Sequence, residues 1–290
     1  MGAVSVSGVL LREQWVSISI SLDGWVQHRT RARRFYVQKL RQEKGSDFPC
    51  LCLLVIYLSW TKINLDYSYN LDLVMELVVN GNLLGYITAT DGIPEYKAKQ
   101  ISWDLCNGMQ YLHSRGIVHR DLKPENVLVV SFVPIIVKIA DFGLAKIFHE
   151  GTMLRSVCGT PNHMAPEVWL TSDVSEYGLV VDSWSMGVMT FIMLSCFFPF
   201  LYDDDEILCP DDFYRRRQIQ WDCLPDETSW RARDFIQRLL VHNAMGRLSF
   251  QHALQHVWFL DVAPRRISAQ TCTSTSTQEV EEVRQILVDI

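Results

Sequence analysis

The sequence predicts an α+β fold with a small β-rich N-terminal part and a mainly helical C-terminal part, and three observations carry that expectation. Residues 16–22 read Val-Ser-Ile-Ser-Ile-Ser-Leu, the period-two alternation of a strand with one buried face. Ile101, Leu105, Met109 and Leu112 recur at i, i+4, i+8 and i+11, which draws one apolar stripe along a helix. Residues 180–200 are largely apolar but are interrupted by Asp182, Ser183, Ser185, Gly187, Thr190 and Ser195. That pattern fits a buried core helix better than a membrane span.

The whole chain, 290 residues with 48% hydrophobic and 21% charged side chains, can bury a sizeable core in one large domain or two lobes. A formal net charge of -6 argues against non-specific nucleic-acid binding. The basic clusters at residues 29–34 and 215–217 read as solvated turns or helix faces. The eight cysteines are scattered with no Cys-x-x-Cys pair, so no zinc or redox motif is expected and a reducing, intracellular setting, cytoplasmic or nuclear, is. Residues 1–22 lack a basic region followed by an apolar core, so no secretory signal is expected. Residues 51–60 are too short a run to span a membrane.

In order along the chain, residues 4–22 are expected to be extended, with Asp23-Gly24 as the turn that follows. Residues 35–44 fit a strand leading into a helix, or a helix alone, and residues 51–58 fit a buried strand or a short helix. Residues 71–78, Leu-Asp-Leu-Val-Met-Glu-Leu-Val, read as a strand that ends in the turn Asn80-Gly81-Asn82. Pro94 suits the first turn of the helix that carries the Ile101 stripe, and Gly116 can close it. Residues 127–129 and 135–139 read as paired short strands across a turn at Pro134, which places Asn126 and Asp141 near one another.

Between these elements lies Ile117-Val118-His119-Arg120-Asp121-Leu122-Lys123-Pro124-Glu125-Asn126-Val127-Leu128-Val129. A carboxylate, an ammonium and an amide fall there within six residues, between apolar runs that anchor both ends. Asp141-Phe142-Gly143 supplies a second acid shortly downstream. Transfer of a phosphoryl group to a hydroxyl in the presence of magnesium needs such a set. Asp121 can accept the hydroxyl proton, Lys123 can offset phosphate charge, and Asn126 with Asp141 can hold the metal. With Ala165-Pro166-Glu167 next in order, the pattern resembles the protein kinases, and the lysine two residues after the aspartate resembles their serine/threonine type.

The resemblance covers residues 71–259 and implies a bilobal protein-kinase-like fold that uses ATP and Mg2+ on protein substrates. It divides the chain into an N-lobe at 1–76, a C-lobe at 77–261 and a flexible tail with a short amphipathic helix at 262–290. By the same resemblance Met75 is the gatekeeper residue of an adenine pocket, the backbone of Glu76 and Val78 bonds adenine, and Leu128 floors the pocket. Asn82 stands where relatives hold the ribose with an acid, and Glu125 keeps an acidic contact for basic residues near the substrate's acceptor. Residues 83–87 begin the first C-lobe helix. Thr160 is matched to a threonine that bonds the catalytic aspartate and lysine. Ser156 is matched to a phosphorylation site whose phosphate pairs with Arg120. Asp182 holds the catalytic-loop backbone, and Arg247 pairs with Glu167, both structural roles. His256 is expected to pack or cap rather than bind metal. Cys158-Gly159-Thr160-Pro161 and His256-Val257-Trp258-Phe259 resemble the calmodulin-dependent-kinase-like group. Residues 216–221, ahead of Leu224-Pro225, resemble its checkpoint-kinase branch.

The N-terminal part departs from the family pattern. Gly2, Gly8, Gly24 and Gly45, the glycines before Glu76, give no Gly-x-Gly-x-x-Gly to cover the phosphates. Lys39 is the best candidate for the strand lysine, yet no glutamate lies between Glu43 and Glu76 to pair with it. A truncated or rearranged small lobe is therefore expected, and a pseudokinase or regulatory scaffold stands as the alternative to an active enzyme. In the tail, residues 271–277 read as a linker, and Val280, Val283, Ile286, Leu287 and Ile290 share one helical face. Arg265-Arg266-Ile267-Ser268 suits a kinase that prefers basic substrates. Oligomeric state is left open.

Overall fold

The structure is a computed structural model that describes residues 4–12, 15–22, 56–62, 69–76, 78–147, 158–169, 178–200 and 218–262, with side chains from Val78 onward except those of Ile147 and Trp169. Two compact units divide the chain, and the second begins, apart from a three-residue stretch, at Asn80.

In the first unit, β1 (Val4–Arg12), β2 (Trp15–Leu22), β3 (Ile56–Lys62) and β4 (Tyr69–Glu76) form an antiparallel sheet in the order β1-β2-β4-β3. The single extended stretch expected over residues 4–22 is two strands, because the chain reverses between Arg12 and Trp15, which pair directly. The polar triplet Arg12-Glu13-Gln14 breaks the apolar alternation there, and a two-residue connection lets the alternating stretch pair with itself. The register slips by one residue between Val6 and Gly8, a bulge at a strand glycine. The strand expected over 71–78 is β4, ending at Glu76, and the one expected over 51–58 is described from Ile56. The Asp23-Gly24 turn, residues 35–44 with Lys39, and the tail lie outside the described residues.

The second unit opens with α1 (Leu83–Thr90), whose N-cap is Asn82. Next comes α2 (Glu95–Ser114), on which Ile101, Leu105, Met109 and Leu112 are all fully buried. Pro94 occupies the N-cap position rather than the first turn, so its missing N–H costs the helix nothing. Gly116, at φ 68°, takes the left-handed conformation that ends the helix, and its N–H donates to the His113 carbonyl at 2.9 Å. The chain then forms β5 (Ile117–Val118), β6 (Val127–Phe132), β7 (Ile135–Ile139) and β8 (Lys146–Ile147). These pair antiparallel as β5 with β8 and β6 with β7.

After the short helix α3 (Pro166–Trp169) comes α4 (Val181–Ser195), in which every residue is buried. It is the core helix expected from the interrupted apolar run. A Cβ on Gly187 would come within 2.9 Å of Leu239 and Leu240 side-chain atoms, so the glycine sets how closely α5 (Trp230–Leu239) packs on α4. The last described helix, α6 (Phe250–Ala253), leads to Trp258 and Phe259, whose rings pack on Phe235. Glu95, at the start of α2, ties this end together by accepting hydrogen bonds from the Ser229 backbone and hydroxyl and from the Trp258 indole. Among the described residues no helix is long and apolar enough to cross a membrane.

Candidate active site

Two framework contacts shape the loop between α2 and β6. The carboxylate of Asp182, in the first turn of α4, is fully buried, and its Oδ1 accepts the Arg120 backbone N–H at 2.8 Å. Its Oδ2 accepts the His119 N–H at 2.9 Å and lies 2.9 Å from Nε2 of His113 on α2. Burial pushes this carboxyl up, but the hydrogen bond and charge of His113, with those of His119, bring it below the usual carboxylate range. The ionised oxygens thus hold Arg120 at φ 68°, a left-handed conformation that a non-glycine residue rarely adopts. His119 is fully buried; its Nδ1 accepts the Asp121 N–H at 3.3 Å, and its Nε2 lies 3.1 Å from the Ala140 carbonyl oxygen.

Residues 158–160, part of the stretch 141–167 that the resemblance reads as an activation segment, meet this loop at a glycine. Gly159 has φ 122°, and a Cβ there would lie 2.6 Å from the Arg120 carbonyl oxygen. That close approach delivers Thr160 to Asp121, whose Oδ1 accepts the Thr160 N–H at 3.0 Å and the hydroxyl at 2.7 Å. Nζ of Lys123 lies 2.6 Å from the same hydroxyl and 3.0 Å from Oδ2 of Asp121. Asn126, buried in the single 3-10 turn Pro124–Asn126, donates its amide to Oδ2 of Asp121 at 3.0 Å and to the Asp121 carbonyl at 2.8 Å. Half-burial pushes the Asp121 carboxyl up, but Thr160, Lys123 and Asn126 together pull it below its ordinary value. Asp121 is therefore an ionised acceptor at neutral pH, the form that a proton-accepting role requires.

Pairing of β6 with β7 brings the second acid alongside, since Val127 faces Ile139 and the Ala140 N–H donates to the Asn126 carbonyl at 2.8 Å. Asp141 follows at φ 57°, exposed, with Oδ1 accepting the Gly143 N–H at 3.0 Å. The Asn126 amide nitrogen is committed to Asp121 while its carbonyl oxygen has no hydrogen bond among the described groups, and the same holds for Oδ2 of Asp141. Two hard oxygen donors of this kind fit magnesium, which takes few protein ligands and fills its remaining positions with water and phosphate oxygens.

The other residues singled out in the sequence fall as follows. Glu167 and Arg247 form the bidentate pair, at 2.6 and 2.9 Å, with the guanidinium fully buried over the Trp184 ring. Arg120 donates from Nε to the Leu144 carbonyl at 2.6 Å, and Ser156 lies outside the described residues. Asn82 uses its side-chain oxygen to cap α1, accepting from the Gly85 N–H at 2.9 Å, and its backbone bridges to half-buried Leu128. That capping role went unread because the expectation rested on resemblance alone. Met75 and Glu76 end β4, half-buried Val78 follows, and Lys39 is not among the described residues. His256 caps the turn Val257–Phe259 and meets Asp234 at 2.9 Å, so it is the capping residue expected. His113, His119 and Gly159 were not singled out as site residues; the signal for His113 was a histidine flanking an apolar stripe, which periodicity does not detect.

The family model of the protein kinase domain matches residues 55–259. The chain is 39% identical over 193 residues to the calcium/calmodulin-dependent protein kinase type 1B of Rattus norvegicus, covering 65% of this chain and 54% of that protein. It is 38% identical over 210 residues to the SNF1-related protein kinase catalytic subunit alpha KIN12 of Arabidopsis thaliana, covering 72% and 40%. It is likewise 38% identical over 211 residues to the calcium/calmodulin-dependent protein kinase type IV of Mus musculus, covering 69% and 42%. The chain thus spans about half or less of the length of these relatives. With a family match over more than half its length and the aspartate–lysine–threonine arrangement of the serine/threonine type, the chain belongs to the serine/threonine protein kinases.

Proposed function

We propose that this chain transfers the γ-phosphoryl group of ATP, with Mg2+, to serine or threonine hydroxyls of proteins. The observation that carries the reading is the closed set of contacts among Asp121, Lys123 and Thr160. It leaves an ionised acceptor beside a cation, poised where a substrate hydroxyl and a phosphate meet. Asp121 accepts the hydroxyl proton, Lys123 balances charge on the transferred group, and Asn126 and Asp141 hold the metal. Bound magnesium supplies charge neutralisation of the phosphates. Adenine recognition by the backbone of Glu76 and Val78, with Met75 and Leu128 about the ring and Asn82 near the ribose, rests on the family resemblance. Glu125 supports a preference for basic residues near the acceptor, because its Oε2 is buried with no hydrogen-bond partner among the described residues. The similarity to calmodulin-dependent kinases supports placement in that group, and the checkpoint-kinase branch rests on residues 216–221 alone.

A second reading, a pseudokinase or regulatory scaffold, has its own support. The family match begins at residue 55, and the preceding sequence holds no glycine-rich loop and no completed lysine–glutamate pair. Thermal unfolding with and without millimolar Mg-ATP separates the two: a rise in Tm supports the enzyme, and no shift favours the scaffold. Phosphate incorporation into a protein substrate then tests chemistry. Equal rates for the parent chain and Asp121→Asn would exclude Asp121 as the base.

A further inference from the structure

One cavity lies beside the proposed site rather than in it: of its lining residues only Asn82 has a part there. Its volume is about 400 Å³, an ordinary size for a small-molecule pocket. Asn82, Gly85, Tyr86 and Ala89 line it at i, i+3, i+4 and i+7, one face of α1, which leaves Leu83 and Ile87 for the core. Phe132, at the end of β6, completes the wall and stays 38% exposed. Its ring lies 5.0 Å from that of Tyr86 at an angle of 57°, so the two rings make an angled corner rather than a stack.

Polar atoms gather at the edge of this corner. Nζ of Lys97, on α2, donates to the Tyr86 hydroxyl oxygen at 2.9 Å and stands 5.6 Å from the ring centroid. The ammonium is therefore at the phenol tip and leaves the ring faces free. The same hydrogen bond holds the Lys97 pKa above its ordinary value, which keeps the charge. Among the described residues Lys97 meets no carboxylate, and the phenolic hydrogen has no acceptor. Gly85 adds a third clue. A Cβ there would meet only Oδ1 of Asn82, at an ordinary 3.5 Å, so packing does not demand the glycine although it weakens the helix. Its bareness keeps the cavity floor open.

We propose that this pocket binds a small aryl-alkanoic acid. The ligand ring packs into the corner of Tyr86 and Phe132 over Gly85, and the carboxylate bridges Nζ of Lys97 and the Tyr86 hydroxyl. An aromatic ring suits these walls because edge-on and offset ring contacts gain more than the buried area alone. A carboxylate suits the two donors because its single charge matches one ammonium and its two oxygens accept from both. Binding there requires neither nucleotide nor catalysis.

The test titrates the full chain with naphthylacetate, followed by calorimetry and by the amide chemical shifts of isotope-labelled protein. Saturable binding with a Kd of roughly 1 mM or tighter is expected for a ligand of this size. The largest shifts should fall on Gly85, Tyr86 and Ala89. Naphthylacetamide, which keeps the ring and loses the charge, should bind about tenfold more weakly or worse, and Lys97→Met should weaken the acid to the same degree. Gly85→Leu fills the floor and should abolish binding with Tm unchanged or higher, since leucine favours a helix over glycine, so lost binding there is not lost folding. Equal affinity for acid and amide overturns the proposal, as does binding that survives both Lys97→Met and Gly85→Leu. A peptide with adjacent phenylalanine and aspartate that produces these shifts while the free acid does not would assign the pocket to a protein segment and overturn the small-molecule ligand. No saturable binding of either overturns the pocket as a site.

Discussion

Thr160 donates its hydroxyl and its backbone N–H to one oxygen of Asp121, at 2.7 and 3.0 Å. The second contact needs only a backbone, whereas the first needs a hydroxyl that also receives Lys123 at 2.6 Å. Replacing Thr160 by Val removes the hydroxyl at nearly constant shape and frees both charged partners. Under the kinase reading kcat should fall roughly 100-fold, since a displaced base or cation loses the reactive geometry. Thr160→Ser should restore most of it. Steady-state kinetics on both variants decide the matter, and a Val variant with unchanged kcat would remove Thr160 from the site.

Gly159→Ala tests how the activation segment is seated. An added Cβ meets the Arg120 carbonyl oxygen at 2.6 Å and imposes φ 122° on a side-chain-bearing residue. The segment must move or carry strain of about 1–3 kcal/mol. The expected outcome is a large loss of kcat with a fall in Tm of a few degrees at most. A fully active Ala variant would show that the approach of Gly159 to Arg120 is dispensable.

The Glu167–Arg247 pair should behave as a buried charge pair. Arg247 also donates to the Val241, Val180 and His242 carbonyls, so its removal strands a carboxylate and three acceptors at once. Arg247→Met should cost about 3–5 kcal/mol in urea unfolding. Arg247→Lys should not rescue it, because one ammonium cannot reproduce the planar fork. A loss below about 1 kcal/mol for the Met variant would assign the pair to the weakly contributing class of surface bridges.

Acid should destabilise the C-terminal unit through His163. Burial, with a smaller push from the Lys123 charge against a pull from Asp121, depresses its pKa to about 4, and its Nδ1 is buried without a partner among the described residues. Between the ordinary histidine value near 6.5 and about 4, the unfolded chain binds a proton that the folded chain refuses. Stability therefore falls as pH falls through that window, by up to about 3 kcal/mol. Asp182 adds a loss at lower pH, because its depressed carboxyl favours the fold above its usual pKa and ceases to as pH falls through the folded value. His163→Phe, facing Phe198, removes the unpartnered nitrogen. It should flatten the slope between pH 6.5 and 4 with little or no cost at pH 7. An unchanged slope would place the acid sensitivity elsewhere.

Local pattern carried far in this chain. The stripe Ile101, Leu105, Met109 and Leu112 announced α2 because burying one face enforces a 3.6-residue period, and all four residues are fully buried. The run over 180–200 announced α4 because only a helix sealed on every side tolerates so few charges. At the site, Asp121, Lys123, Asn126 and Asp141 were legible because they fall in one short stretch whose order resembles the protein kinases. Pattern failed where partners are remote. Alternation over residues 4–22 could not say that the stretch folds back on itself, since period two is the same for one strand or two. The triple claim on Asp182 by His113, His119 and Arg120 joins residues more than sixty positions apart, as does the seating of Arg247. The glycine at 159 has a purpose only once the Arg120 carbonyl is seen against it. By itself the sequence determined which chemical groups are present and which helices frame them. The tertiary structure decided which oxygen faces which donor, because those pairings are fixed by long-range packing and leave no period in the chain.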